Sequence, residues 1–268
     1  MRHRAWAVGL LIVALGGAGV VAWPRPEVGT LPARVRARIA AHGGRYIPLA
    51  RVPRALQEAV VAAEDDTFYD NPGVDVVALG RAALADLRAG RIVQGGSTLT
   101  EQLADVVLVH GDRSPLRRLV TMADALHIAR RFSKAQILEM YLNAVYFGEG
   151  AYGVGQAARV YFHRPVQALD LGRSALLAGL PRGPSAYDPL CHPRAARGRL
   201  REVLAAMVRT RAISRGAAAV AARELAAWLA ARPPGRPRPG AGRPGRSCAM
   251  PRGPVRLGEA LPRTTPPA

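Results

Sequence analysis

Three segments of this chain carry residue types that do chemistry. Glu64-Asp65-Asp66 sets three carboxylates side by side, next to Phe68-Tyr69 and ahead of a turn at Asn71-Pro72-Gly73. A carboxylate in a partly apolar setting is how proteins tune a general acid or base; the plain alternative is a solvated acidic helix end. In Gln94-Gly95-Gly96-Ser97-Thr98-Leu99-Thr100-Glu101-Gln102, two glycines lead into a helix start, with Thr98 and Glu101 spaced as a capping box. Such a turn presents backbone N–H groups to an anion, unless it is an ordinary loop and cap. Arg113, Arg117 and Arg118 gather around another helix start, where the helix dipole disfavours cations. An anionic ligand would explain them, and a solvated charged face is the alternative.

These groups need a scaffold, and the pattern around them is helical. From Pro53 to about Ala231 apolar residues recur at helical spacing, with no sustained strand-like alternation. Pro53 opens a helix on which Leu56, Val60 and Ala63 share a face, placing Glu64 at its C-terminal end. Ser133 and Gln136 form a second capping box, ahead of a helix over Lys134–Leu142. Asp170–Leu180, ended by Pro181, and Pro193–Ile213 complete the expected elements. Residues 24–52 read as a stalk with one short helix, Pro32–Ala41. Residues 232–268 hold 10 of the 22 prolines and eight arginines against the single acid Glu259, a composition for a flexible basic tail rather than a packed core.

The N-terminus points to export. Arg2, His3 and Arg4 precede an uncharged run from Ala5 to Trp23, which as a helix would extend roughly 28 Å, about the thickness of a bilayer core. Trp6 and Trp23 fall where interfacial aromatics sit, and the leading positive charge keeps the N-terminus in the cytoplasm. Residues 1–23 are therefore expected to anchor the chain, with the domain at 53–231 outside the cytoplasmic membrane. A cleaved signal peptide, with Val20 and Ala22 before the cut, is the rival reading; both export the domain. The formal charge is +19, from 38 basic and 19 acidic residues, and every basic residue but Lys134 is Arg. That charge asks for an anionic partner, and export argues against nucleic acid. Two cysteines, Cys191 and Cys248, make neither a disulfide framework nor a zinc cluster; an oxidising periplasm leaves a Cys191–Cys248 bridge open, without support from the sequence.

Taken together, Glu64–Asp75 (EDDTFYDNPGVD), Gln94–Leu103 (QGGSTLTEQL), Arg117–Thr121 (RRLVT), Ile137–Phe162 and Leu176–Pro189 resemble, in order, the five motifs of glycosyltransferase family 51, the peptidoglycan glycosyltransferases. The resemblance covers about half the chain, Arg51 to Pro189, and is to the monofunctional form, with no transpeptidase domain following. It implies a mainly α, lysozyme-like helical domain behind a single N-terminal transmembrane helix. It also implies an inverting transfer in which the growing glycan is donor, with an undecaprenyl pyrophosphate leaving group, and the 4-hydroxyl of lipid II attacks. Glu64 takes the base role. Ser97, Thr98 and Gln102 match the second motif's polar wall, Arg113 and Arg117 match basic positions, and Arg118 replaces a Lys, all on the substrate-binding side. Val76–Val93 corresponds to the membrane-contacting region. The implied partners are lipid II, the glycan strand, the cytoplasmic membrane and other cell-wall synthesis proteins. Some members use a divalent metal at the pyrophosphate, but no metal-ligand cluster stands out in this sequence.

Several positions depart from the family pattern. Asn71 stands for His, Glu101 for Gln, Asp105 for a pyrophosphate-binding Lys and Val106 for Asn. Thr121 stands for the third motif's Glu, and Ala129 for another Glu. Asp124, one helical turn beyond Thr121 on nearly the same face, is the nearest substitute carboxylate. The expected function is an active glycosyltransferase. The alternatives are a weakly active or inactive member that binds lipid II or acts as a scaffold, favoured by Thr121 and Asp105, and a glycan-cleaving lysozyme-like enzyme, which Glu64 alone would fit.

Overall fold

The computed structural model describes residues 25–80, 96–108 and 115–231. The chain is mainly helical: among these residues the only β-type pairing is an isolated bridge between Tyr146 and Tyr152. The helices are α1 (Pro26–Gly29), α2 (Leu31–Ala41), α3 (Arg54–Glu64), α4 (Leu99–Val107), α5 (Pro115–Arg131), α6 (Lys134–Ala144), α7 (Val154–Phe162), α8 (Leu171–Gly179), α9 (Pro193–Arg209) and α10 (Arg215–Ala230). None of the described helices is long and apolar enough to cross a membrane. The expected anchor at 1–23 and tail at 232–268 lie outside the described residues, as does most of Val76–Val93.

The chain divides into two compact units. The first takes Met1–Arg38 and Thr67–Ala144. Here α4 packs against α5 and α6, and α1 packs against α5. The α4 pattern Leu99, Leu103, Ala104, Val107 keeps one face apolar and buried, together with Ile128 of α5 and Ile137, Leu138 and Tyr141 of α6. Each such large side chain, fully buried, stabilises the fold by roughly 1.5–3 kcal/mol. Within the segment expected as a stalk, Val28, Leu31, Val35 and Ile39 are buried at three- and four-residue spacing, which needs a packed partner surface.

The second unit takes Ile39–Asp66 and Val145–Ala268. Its centre is α3 against α8 and α9, with α10 laid on α8 and α9. Leu56, Ala59 and Val60 of α3 meet a buried set including Leu176, Leu177, Leu200, Val203 and Met207. The single helix expected over Pro193–Ile213 ends instead at Arg209. Thr210 closes it, Arg211 adopts a left-handed backbone at φ 60, and Ser214 accepts from the Ala217 N–H to start α10. The two capping boxes form as spaced: Thr98 with Glu101, and Ser133 with Gln136.

Candidate functional site

In the second unit, Glu64 is the last residue of α3. A carboxylate at a helix C-terminus faces the negative end of the dipole, so holding it there takes a cation. Arg199 of α9 supplies one. Its Nη2 donates to Glu64 Oε1 at 2.9 Å, and the two side chains are 4% and 6% exposed. The same guanidinium donates from Nε to the Gly179 carbonyl at 3.1 Å and from Nη1 to Glu202 at 3.1 Å, and it lies 5.8 Å from the Tyr187 ring centre. Gly179 makes room for it: a Cβ there would stand 2.7 Å from Arg199 Cγ. A buried ion pair survives desolvation only with such supporting hydrogen bonds. Arg199 escaped the sequence reading, although it sits in phase with the buried Ala196, Val203 and Ala206, where a charge needs a partner.

In the first unit the second-motif residues meet the third-motif helix. Thr98 caps α4: its Oγ accepts from the Glu101 N–H at 3.1 Å, while the Glu101 carboxylate accepts from the Thr98 N–H at 2.8 Å. The Thr98 hydroxyl also donates to the Gly73 carbonyl at 2.6 Å, so this buried side chain ties the 67–75 loop to the start of α4. Ser97 is half-buried just ahead of the cap. Gln102, also half-buried, accepts from the Tyr141 hydroxyl at 3.1 Å. Asn71 holds the loop turn, its Oδ1 accepting from the Gly73 N–H at 3.0 Å and its carbonyl from Lys134 Nζ at 2.6 Å.

The basic positions separate. Arg117 donates from Nε and Nη2 to Asp105 Oδ1, at 3.0 and 2.6 Å, so the Asp105 carboxylate neutralises this arginine. Arg118 is exposed, and Arg113 lies outside the described residues. The Thr121 hydroxyl donates to the Arg117 carbonyl one turn back. Asp124, expected as the nearest substitute carboxylate beside Thr121, is already engaged: Arg25 holds it at 2.6 and 2.8 Å, and the carboxylate is buried.

Elsewhere in the second unit Asp188 is buried, accepts from the Leu190 N–H at 2.8 Å, and stands beside Glu149. Burial is the main cause that pushes its carboxyl up to about 7; the Leu190 N–H opposes this, and Glu149 adds to it. Among the described residues, metal-ligand types converge at Glu149, Asp188 and Cys191. Cys191 is disulfide-bonded, so its sulfur offers no thiolate. Beside Arg117 the carboxylate present, Asp105, is engaged by that arginine. Among the described residues, these do not fit a metal at the pyrophosphate.

Comparison with known proteins agrees with this organisation. Residues 33–208 match the family model described as Transglycosylase. Penicillin-binding protein 1A of Aquifex aeolicus is 45% identical over 163 residues, which are 61% of this chain and 22% of that protein. Penicillin-binding protein 1B of Vibrio cholerae is 44% identical over 160 residues, 58% of this chain and 21% of its own length. A Cupriavidus necator protein bearing a transglycosylase name is 41% identical over 175 residues, 65% of this chain and 75% of that protein. The chain thus spans about a fifth of the penicillin-binding relatives and three quarters of the last.

Proposed function

Because the chain belongs to the transglycosylase family, we propose that it is a peptidoglycan glycosyltransferase that polymerises lipid II and releases undecaprenyl pyrophosphate. The observation that carries the reading is the buried Glu64 carboxylate held in place by Arg199. A base must be ionised and fixed in direction before the acceptor arrives, and a buried cation on one oxygen serves both needs. In the transfer, the acceptor 4-hydroxyl gives its proton to Glu64 as its oxygen bonds to the donor's anomeric carbon. The bond from that carbon to the pyrophosphate breaks with inversion, and its electron pair leaves with the phosphate. Arg113, Arg117 and Arg118 stabilise that developing charge, Arg117 exchanging its Asp105 partner for phosphate oxygens. Ser97, Thr98 and Gln102 shape the polar wall, with Thr98 acting through the backbone it fixes.

The same reading places the domain on the outer side of the cytoplasmic membrane behind an anchor at 1–23. Tyr69, Val76, Val77 and Leu119 of the first unit support membrane contact, since these large apolar side chains are exposed, Val76 and Val77 by 68% and 70%. The test is lipid II polymerisation by detergent-solubilised full-length protein, with and without Glu64→Gln. Glycan strands from the wild type, and a small residue of them from the variant, are expected. Absence of product from both would remove the activity, and equal product from both would remove Glu64 from it.

A further inference from the structure

In the first unit, a cavity of about 380 Å³ opens between α1 and the C-terminal turn of α5, lined by Arg25, Val28, His127, Arg130 and Arg131. Its lining holds three arginines and a histidine and no acidic side chain. Arg25 spends Nε and Nη2 on Asp124. Arg130 and Arg131 are exposed and form no ion pair among the described residues. Two cations in the last turn of a helix have an ordinary explanation, because they complement its dipole. That explanation leaves out His127. Its Nε2 is buried and has no hydrogen-bond partner, an arrangement that costs free energy unless something else meets it. An oxygen-rich anion answers both features at once: it satisfies the imidazole nitrogen and takes charge-assisted contacts from the paired arginines.

We infer that this cavity binds a phosphate ester, with His127 Nε2 and the Arg130 and Arg131 guanidinium groups on the phosphate oxygens and Arg25 at the rim. The source the chain favours is an anionic phospholipid headgroup. Arg25 follows Trp23 by two residues, so it lies within about 7 Å of the end of the apolar run. This choice of source rests on the anchoring reading above; the phosphate chemistry does not. The site is separate from the residues assigned to the transfer, and it would fix the first unit's orientation at the bilayer surface.

The test is calorimetric titration of full-length protein in neutral detergent with dihexanoyl phosphatidylglycerol, dihexanoyl phosphatidylcholine and inorganic phosphate. Four proteins are compared: wild type, Arg130→Ala/Arg131→Ala, His127→Phe, and the charge-matched control Arg252→Ala/Arg256→Ala in the basic tail. Phosphatidylglycerol affinity is expected to fall at least about tenfold in the double variant and about threefold in His127→Phe, as lost charge-assisted and neutral contacts predict. The tail control should bind like wild type, and phosphatidylcholine more weakly throughout. Because Arg130 and Arg131 are exposed, their double variant carries the test even if His127→Phe folds poorly. Equal losses in the tail control and the double variant would reduce the effect to bulk charge and overturn the site. Full phosphatidylglycerol affinity in a folded His127→Phe would do the same. Inorganic phosphate bound as tightly as the lipid, and lost in the same variants, would keep the phosphate site and assign it to a soluble ester.

Discussion

Arg199 holds Glu64 at 2.9 Å across two helices distant in sequence, and both side chains are almost wholly removed from solvent. Removing Arg199 takes its cation from the buried Glu64 carboxylate, whereas removing Glu64 leaves Arg199 its contacts with Glu202 and the Gly179 carbonyl. Arg199→Met should therefore cost about 3–5 kcal/mol of stability, and Glu64→Gln a comparable but smaller amount, because the amide still accepts a hydrogen bond. The double variant should be less destabilised than the sum of the two. Urea unfolding of all four proteins measures this coupling, and strict additivity would dissolve the pair as a unit.

Catalysis separates the partners where stability does not. If Glu64 is the base, Glu64→Gln should lower polymerisation by roughly 10²–10⁴-fold, with binding of a lipid II analogue much less affected. Gly179→Ala keeps both charges but drives a methyl to within 2.7 Å of the Arg199 stem. It should lower the rate by shifting the guanidinium. A Gly179→Ala protein as fast as wild type would show that the position of Arg199 is not critical.

The pairing of Arg117 with Asp105 makes a different claim. Asp105 is 41% exposed, so its ion pair is worth at most about 1 kcal/mol. Asp105→Ala should free Arg117 for phosphate oxygens and lower the apparent KM for lipid II by about two- to fivefold, with little change in melting temperature. An unchanged or raised KM in steady-state assays would mean that Asp105 positions Arg117 rather than competing for it.

Asp188 sets a pH dependence of stability. Its folded carboxyl titrates near 7, well above its ordinary 3.8, so the native state holds a proton there that the unfolded chain has released. The stability tied to that proton is complete below about pH 4 and is lost as pH rises to about 7. Asp188→Asn should flatten this dependence, so wild-type melting temperature should fall relative to the variant between pH 5 and 7.5. Parallel curves over that interval would contradict it.

Much of this architecture was legible because it is local. The start of α4, the Ser133–Gln136 cap and the position of Glu64 at the end of α3 follow from residues within one or two turns. What was not legible depends on long-range pairing. Arg199 reads as one arginine among many in a chain where almost every cation is Arg, and only its phase with Ala196 and Val203 marks it as buried. Asp124 reads as a substitute carboxylate beside Thr121, until Arg25, 99 residues away in sequence, turns out to hold it. The break between α9 and α10 depends on a left-handed Arg211, which its residue type does not announce.

Gly73 has a further bearing on how this sequence can change. Its backbone, at φ +107, lies so close to α5 that a Cβ there would stand 2.6 Å from the Ala125 carbonyl and 2.9 Å from Ala129 Cβ. The small side chain of Ala129 leaves the loop this room. Glu at 129 would need its longer side chain to avoid that loop or to lift it. The loop in turn receives the Thr98 hydroxyl that caps α4. Substitution at this one position is thus constrained by the loop at Gly73 and, through Thr98, by the start of α4. Residues 73, 98 and 129 are linked by packing, so a larger side chain at one of them is accommodated only if the others move with it.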